Sequence, residues 1–137
     1  MTSVTVQQQF DQPVEQVWAV VSDFGGIATY MKGVESCTTE GQGIGQDRSI
    51  AMGGGTVVER LTWLDHDQHD LSYTILSGPL PFSRYVATVR LSPDGVGTLA
   101  TWEGNFEPAG VSEEEASKLA RGIYTGGLKG YKAHLDG

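Results

Sequence analysis

Between Ile44 and Leu64 the chain reads IGQDRSIAMGGGTVVERLTWL, two runs of alternating side chains joined at Gly53-Gly54-Gly55. A period of two marks a half-buried strand, and a glycine turn between two such runs marks an antiparallel hairpin. Taking the large apolar residues as the inward set places Ile44, Gln46, Arg48, Ile50 and Met52 on one face of the first run. Val57, Glu59, Leu61 and Trp63 then share that face on the second. Arg48 and Glu59 therefore fall on the apolar face of neighbouring, opposite-running strands. A lone charge there costs several kcal/mol, so the two either pair inside a filled core or converge on a ligand in a mostly apolar cavity. A register slip of one residue would instead carry both to solvent.

The same period extends outward in both directions. Six strands are expected at about 34–40, 44–52, 55–64, 69–77, 82–92 and 97–107, divided by glycine-rich or polar turns and by Pro93-Asp94-Gly95. Their inward faces add Leu71, Tyr73 and Ile75, then Tyr85, Ala87, Val89 and Leu91, then Ala100, Trp102 and Phe106. Upstream, Val4, Val6 and Phe10 alternate as a first strand. Pro13 suits the first turn of a helix whose Val14, Val17, Trp18 and Val21 recur at helical spacing, and Ile27, Tyr30 and Met31 form a shorter one ending at Gly33. Downstream, Ser112 and Glu115 make a capping box that opens a helix to about Leu135, with Ala116, Leu119, Ile123 and Tyr131 on its apolar side. This order predicts an α+β domain: a seven-stranded antiparallel sheet covered by a long C-terminal helix, with two short helices between its first two strands.

Composition narrows the function. The 137 residues, 39% of them hydrophobic, are expected to form one domain, 1–137, with a core that needs neither disulfide nor structural metal. Cys37 is the single cysteine, and there is no secretory leader and no 18-residue apolar run, so a cytoplasmic protein without stable membrane association is expected. A net charge of -8 with no Lys/Arg cluster argues against nucleic acid. No cofactor or metal is expected either. Asp65, His66, Asp67, His69 and Asp70 crowd a hairpin tip, where one flexible turn does not fix a coordination geometry. Gly41-Gln42-Gly43-Ile44-Gly45 precedes a strand rather than opening a helix, so it is not a phosphate loop.

The 19 glycines need places. Gly122, Gly126, Gly127 and Gly130 lie within the last helix, where each costs about 1 kcal/mol relative to alanine. Three of them, Gly122, Gly126 and Gly130, share one side. They permit either close backbone packing on the sheet or free volume for a ligand.

Pro13-Val14-Glu15-Gln16-Val17-Trp18, the Ser22-Asp23-Phe24 end of that helix, Glu59-Arg60-Leu61 with Leu64-Asp65, and Tyr85-Val86-Ala87-Thr88-Val89 together resemble the START/SRPBCC superfamily. This superfamily has the helix-grip fold and includes polyketide cyclase/dehydrase-like and birch-pollen-allergen-like proteins. The resemblance runs over essentially the whole chain. Two plant branches look most similar in these segments, the abscisic acid receptors and the lachrymatory-factor synthase. In both, an arginine, a glutamate and a tyrosine at positions matching Arg48, Glu59 and Tyr85 line the ligand cavity. In the receptor branch two loops close over the ligand, here Met52 to Thr56 and Ser77 to Ser83, which brings Gly54 and Pro79 into the expected lining. Both loops depart from the receptor pattern: Gly53-Gly54-Gly55 stands where that branch has a leucine-proline gate, and the second loop lacks its histidine-arginine pair.

The resemblance implies a domain that binds a small hydrophobic or amphipathic molecule between sheet and helix. Trp63, Tyr73, Trp102, Ile50, Leu61, Ile123, Gly126 and Gly127 would supply contact area. In a polyketide cyclase, dehydratase or isomerase-like enzyme, Glu59 would move a proton while Arg48 and Tyr85 stabilise an oxyanion. In a lipid or metabolite carrier or sensor, the same three would only fix the ligand's polar end. A protein-interaction module without a ligand would instead combine a filled core with an exposed apolar patch.

Overall fold

Ser112 Oγ accepts a hydrogen bond from the Glu115 backbone at 3.1 Å and so starts the long helix that organises the fold. In the structure, a computed structural model describing residues 1–137, the chain runs β1 (Thr2–Phe10), α1 (Val14–Val21), a 3-10 turn (Phe24–Gly26), α2 (Ile27–Tyr30), β2 (Val34–Glu40), β3 (Asp47–Met52), β4 (Gly55–Asp65), β5 (Asp70–Ser77), β6 (Phe82–Asp94), β7 (Gly97–Pro108) and α3 (Glu113–Asp136). The sheet has the order β1-β7-β6-β5-β4-β3-β2, antiparallel throughout. Successive hairpins therefore build β2 to β7, and β1 closes on β7 from the other end of the chain. With α3 across the sheet and α1 and α2 between β1 and β2, this is the α+β helix-grip fold. No helix is long and apolar enough to cross a membrane.

The main core lies between the sheet and α3, where Val4, Phe10, Leu61, Leu71, Tyr73, Val89, Trp102 and Phe106 meet Ala116, Ala120, Tyr124, Leu128 and Tyr131. A satellite cluster of Ile27, Val34 and Ile50 packs with Met31, Cys37 and Met52.

Three local expectations are corrected. First, β3 begins at Asp47 rather than at residue 44. Gly41, Gly43 and Gly45 take positive φ and turn the chain there, which leaves Ile44 57% exposed and Gln46 outside the strand. Second, Trp63 does not face inward. The β4–β5 pairing shifts between Leu61↔Tyr73 and Trp63↔Ser72, so the bulge turns Trp63 outward and returns Leu64 to the core side. Trp63 is 50% exposed, and its Nε1 donates to Asp70 Oδ1 at 2.8 Å. Third, the buried face of α3 is rotated by about one residue. Ala120 and Tyr124 point into the core, while Leu119 is 40% exposed and Ile123 lies at the edge.

The polar hairpin tip is engaged by its own backbone and by α1. Asp65 Oδ1 accepts from the backbone of Asp67 and Gln68, while Trp18 Nε1 donates to His66 Nδ1 and His69 Nε2 pairs with Glu15.

Candidate functional site

The β3–β4 register sets Arg48 directly opposite Glu59, and both side chains turn to the buried side of the sheet, 4% and 7% exposed. Arg48 Nε donates to Glu59 Oε1 at 2.9 Å, and Nη2 lies 2.7 Å from the same oxygen. Nη1 donates to the Phe24 carbonyl at 2.9 Å. The guanidinium carbon lies 3.8 Å from the centroid of the Phe24 ring and 5.1 Å from that of Tyr73. The 3-10 turn after α1 thus gives Arg48 both a carbonyl acceptor and a ring face, which with the carboxylate offset the cost of burying the charge. Burial alone would lower the Arg48 pKa. Glu59, with smaller contributions from Tyr73 and Tyr131, reverses this and raises it above its ordinary value. Both Arg48 contacts go to Oε1, so Glu59 Oε2 has no hydrogen-bond partner.

Beside this pair runs a network of aromatic polar groups. Trp102 Nε1 donates to Tyr73 Oη at 3.2 Å, Tyr73 Oη lies 3.5 Å from Tyr85 Oη, and the Tyr85 and Tyr124 hydroxyls are hydrogen-bonded. The Trp102 ring stacks on Tyr124 at 5.1 Å and on Tyr131 at 6.4 Å, and Phe82 stacks on Tyr85 at 5.3 Å. Gly104 makes the Tyr124 position possible, because a Cβ there would sit 1.9 Å from Tyr124 Oη. Burial pushes Tyr73 and Tyr85 well above the usual phenol range and Tyr124 and Tyr131 up to about 12. At neutral pH all four are therefore phenols able to donate, not phenolates.

These rings lie between the sheet and α3, where sequence reasoning expects the cavity. A groove of about 530 Å³ opens at the flank of α3, between that helix, α2 and the facing ends of β2 and β3. Tyr30, Met31, Val34 and Met52 form one wall, and Ile123, Gly126 and Gly127 belong to the other. Neither Arg48 nor Glu59 lines it. Ile50 stands between, two residues along β3 from Arg48 and packed with Met31 and Met52.

The helix glycines divide between the two roles open to them. Gly122 and Gly126 face open space, whereas a Cβ on Gly127 would meet Trp102 and Met31 at 2.6 and 2.7 Å, and one on Gly130 would meet the Tyr30 carbonyl at 2.3 Å. The two expected mouth loops touch each other. A Cβ built on Gly55 would lie 3.5 Å from Pro79 Cγ, and Gly78, with φ +140°, packs on Thr56 and Val57. Gly54 is exposed at the turn with nothing near it.

The structure thus gathers Arg48, Glu59, Tyr73, Tyr85 and Trp102 at one buried centre with Leu61 behind them, and sets Ile50, Ile123, Gly126 and Gly127 beside the groove. It places Trp63 on the opposite face of the sheet. Phe24, Gly104 and Tyr124 are missed by sequence reasoning, and so is the approach of Tyr131 to Arg48. A signal for Tyr124 does exist: Ala116, Ala120, Tyr124, Leu128 and Tyr131 recur at spacings of four and three, a stripe as regular as the one through Leu119 and Ile123.

A family model described as polyketide cyclase/dehydrase and lipid transport matches residues 1–136. Abscisic acid receptor PYL6 of Arabidopsis thaliana is 30% identical over 129 residues; the match takes in 84% of this chain, and the chain spans 60% of that curated relative's length. Among solved structures, protein XoxI from Bacillus cereus superposes with a TM-score of 0.90 at 28% identity, covering 98% of this chain and 95% of the other. A solution structure from Thermobifida fusca does so with a TM-score of 0.85 at 25% identity, covering 96% and 91%.

Proposed function

The chain belongs to the polyketide cyclase/dehydrase and lipid-transport family, and from that premise we propose that it is a single cytoplasmic ligand-binding domain whose ligand is a small, largely apolar molecule with a polar end. The ligand enters by the groove beside α3, and its polar end is fixed by Arg48, Glu59 and Tyr85. The observation that carries this reading is the buried Arg48–Glu59 pair with its unused carboxylate oxygen, its Arg48 on the same strand as Ile50 and as Met52, which is part of the groove's wall. Methionine is unbranched and adapts to new neighbours at low cost, so Met31 and Met52 can swing aside for a ligand where a branched side chain would resist. One relative is itself named as the receptor for a small molecule.

The test is native mass spectrometry of protein purified without denaturation, alongside a thermal-shift screen of apolar acids, alcohols and ketones. We expect a retained or acquired small molecule in the wild type, lost in Gly126→Trp. That substitution places a ring in the groove where the glycine faces open space. Equal occupancy in Gly126→Trp, or no small molecule bound in either assay, overturns the reading.

Acid–base catalysis of the cyclase or dehydratase kind is a second reading, favoured by a buried Glu59 carboxylate near enough to the Tyr73, Tyr124 and Tyr131 phenols to help raise their pKa. Glu59 would shuttle a proton while Arg48 and Tyr85 hold developing negative charge. Glu59→Gln is then expected to keep ligand affinity within a few-fold and to lose conversion of the bound molecule. A carrier shows no conversion to lose.

A further inference from the structure

Charge is unevenly shared around the groove. The chain carries 17 Asp and Glu against 9 Lys and Arg, yet the groove has no acidic residue in its lining and two lysines, Lys32 and Lys129. Neither lysine is in an ion pair. Lys132, three residues beyond Lys129 and outside the groove's lining, is by contrast held by Asp136 at 3.0 Å and lies 3.9 Å from Asp11. Gly130 approaches the Tyr30 carbonyl so closely that no Cβ fits, and this contact brings the end of α2 onto α3, with Lys32 two residues after Tyr30 and Lys129 one before Gly130. The opposite end, at Gly122 and Ile123, opens into a second depression of about 500 Å³ that carries Glu115 and Lys118 together. The carboxylate-free stretch is thus bounded, apolar along its length and cationic at one end. In an acidic molecule a patch of this kind is where an anion meets a favourable local field, strengthened by low-dielectric walls.

We propose that the groove selects an anionic amphiphile, with its apolar body along Ile123, Gly126, Met31 and Met52 and, at the end away from Arg48, Glu59 and Tyr85, a carboxylate or comparable anionic head between Lys32 and Lys129. This rests on reading the groove as the ligand site and adds the charge class of what it takes. Both lysines are solvent-exposed, so each contributes modestly and the preference is screened by salt.

The experiment compares two fluorescent probes that differ only in the head, 1-pyrenebutanoate and 1-pyrenebutanol, titrated at pH 7 into the full chain. The wild type is expected to bind the carboxylate about five- to ten-fold more tightly at low ionic strength, the range two exposed charge contacts supply. The preference should shrink as salt is raised, and in Lys32→Gln/Lys129→Gln the two affinities should converge through loss on the carboxylate side. Gly126→Trp is expected to weaken both probes. Equal wild-type affinities overturn the anionic selection while leaving an apolar-ligand site standing. Unchanged binding of both probes in Gly126→Trp shows that they lie elsewhere and overturns the inference, and failure of the wild type to bind either probe overturns it together with the groove reading.

Discussion

Gly104 and Tyr124 are one residue-scale decision made in two distant parts of the chain. A Cβ at 104 would lie 1.9 Å from Tyr124 Oη and 2.9 Å from its Cζ, so the ring sits where it does only because the strand beneath it is bare. Gly104→Ala is expected to destabilise the fold by about 2–4 kcal/mol, measured as a lower urea midpoint at unchanged slope. Gly104→Ala/Tyr124→Phe should recover part of that loss, because the nearest clashing atom is gone; strictly additive costs would contradict the close approach. The same reasoning governs Arg48 and Glu59. Arg48→Met strands a buried carboxylate and is expected to cost about 3–5 kcal/mol, whereas Arg48→Met/Glu59→Leu should cost less than the sum of the two single substitutions. The Arg48–Glu59 pair is legible in the sequence, because alternation alone puts both charges on an apolar face and the glycine turn sets them opposite one another. Their third partner is not, since the Phe24 carbonyl reaches Arg48 from the other side of the core and a backbone group carries no side-chain pattern. Tyr124 goes unread for a related reason: nothing local says that a tyrosine near the middle of α3 will find its space over a glycine in β7.

At the scale of elements, strand existence, order and turn positions follow from period and punctuation, and the residues that escape the pattern are those where pairing breaks step. The bulge after Leu61 inserts one residue, so strict alternation fails from Trp63 onward: Trp63 turns outward and Leu64 inward, each opposite to the alternating expectation. A single strand's sequence does not reveal this, because a bulge is a mismatch between two strands. Helix α3 shows the complementary case. Its glycines look alike in sequence but meet different surroundings, so they should respond oppositely to one methyl group. Gly126→Ala enters open space and is expected to be neutral or to stabilise by up to about 1 kcal/mol through helix propensity. Gly127→Ala drives its Cβ to within 2.6 Å of the rigid Trp102 ring and should lower the thermal midpoint despite the same gain in propensity. Equal behaviour of the two in thermal melts would mean that α3 does not sit on Trp102 as described.

For the whole molecule, the aromatic filling of the interior ties stability to alkaline pH. Tyr73, Tyr85, Tyr124 and Tyr131 all have their phenol pKa raised by burial, the last two to about 12, while an unfolded chain returns each to about 10. The protonated phenol is the form the folded state favours. Its contribution to stability is fully present below pH 10 and is lost as pH climbs through the folded values, because the unfolded chain then releases protons that the native state still holds. Tyrosinate absorbance from these four should therefore appear in the same transition as the loss of near-ultraviolet circular dichroism, above about pH 10. Tyr30 is less enclosed, with its phenol raised by partial burial and by Asp23, and should titrate without unfolding. Net charge provides the internal control. At -8 near neutrality the molecule grows still more negative on the alkaline side, and self-repulsion also favours unfolding there. Added salt screens that repulsion and should move the transition upward by a limited amount, but it cannot remove the cost of ionising a buried phenol. Ionisation of all five tyrosines near pH 10 with native circular dichroism intact would mean that solvent already reaches the space between sheet and helix. The ligand would then have an open cavity over the sheet rather than a groove at the helix flank.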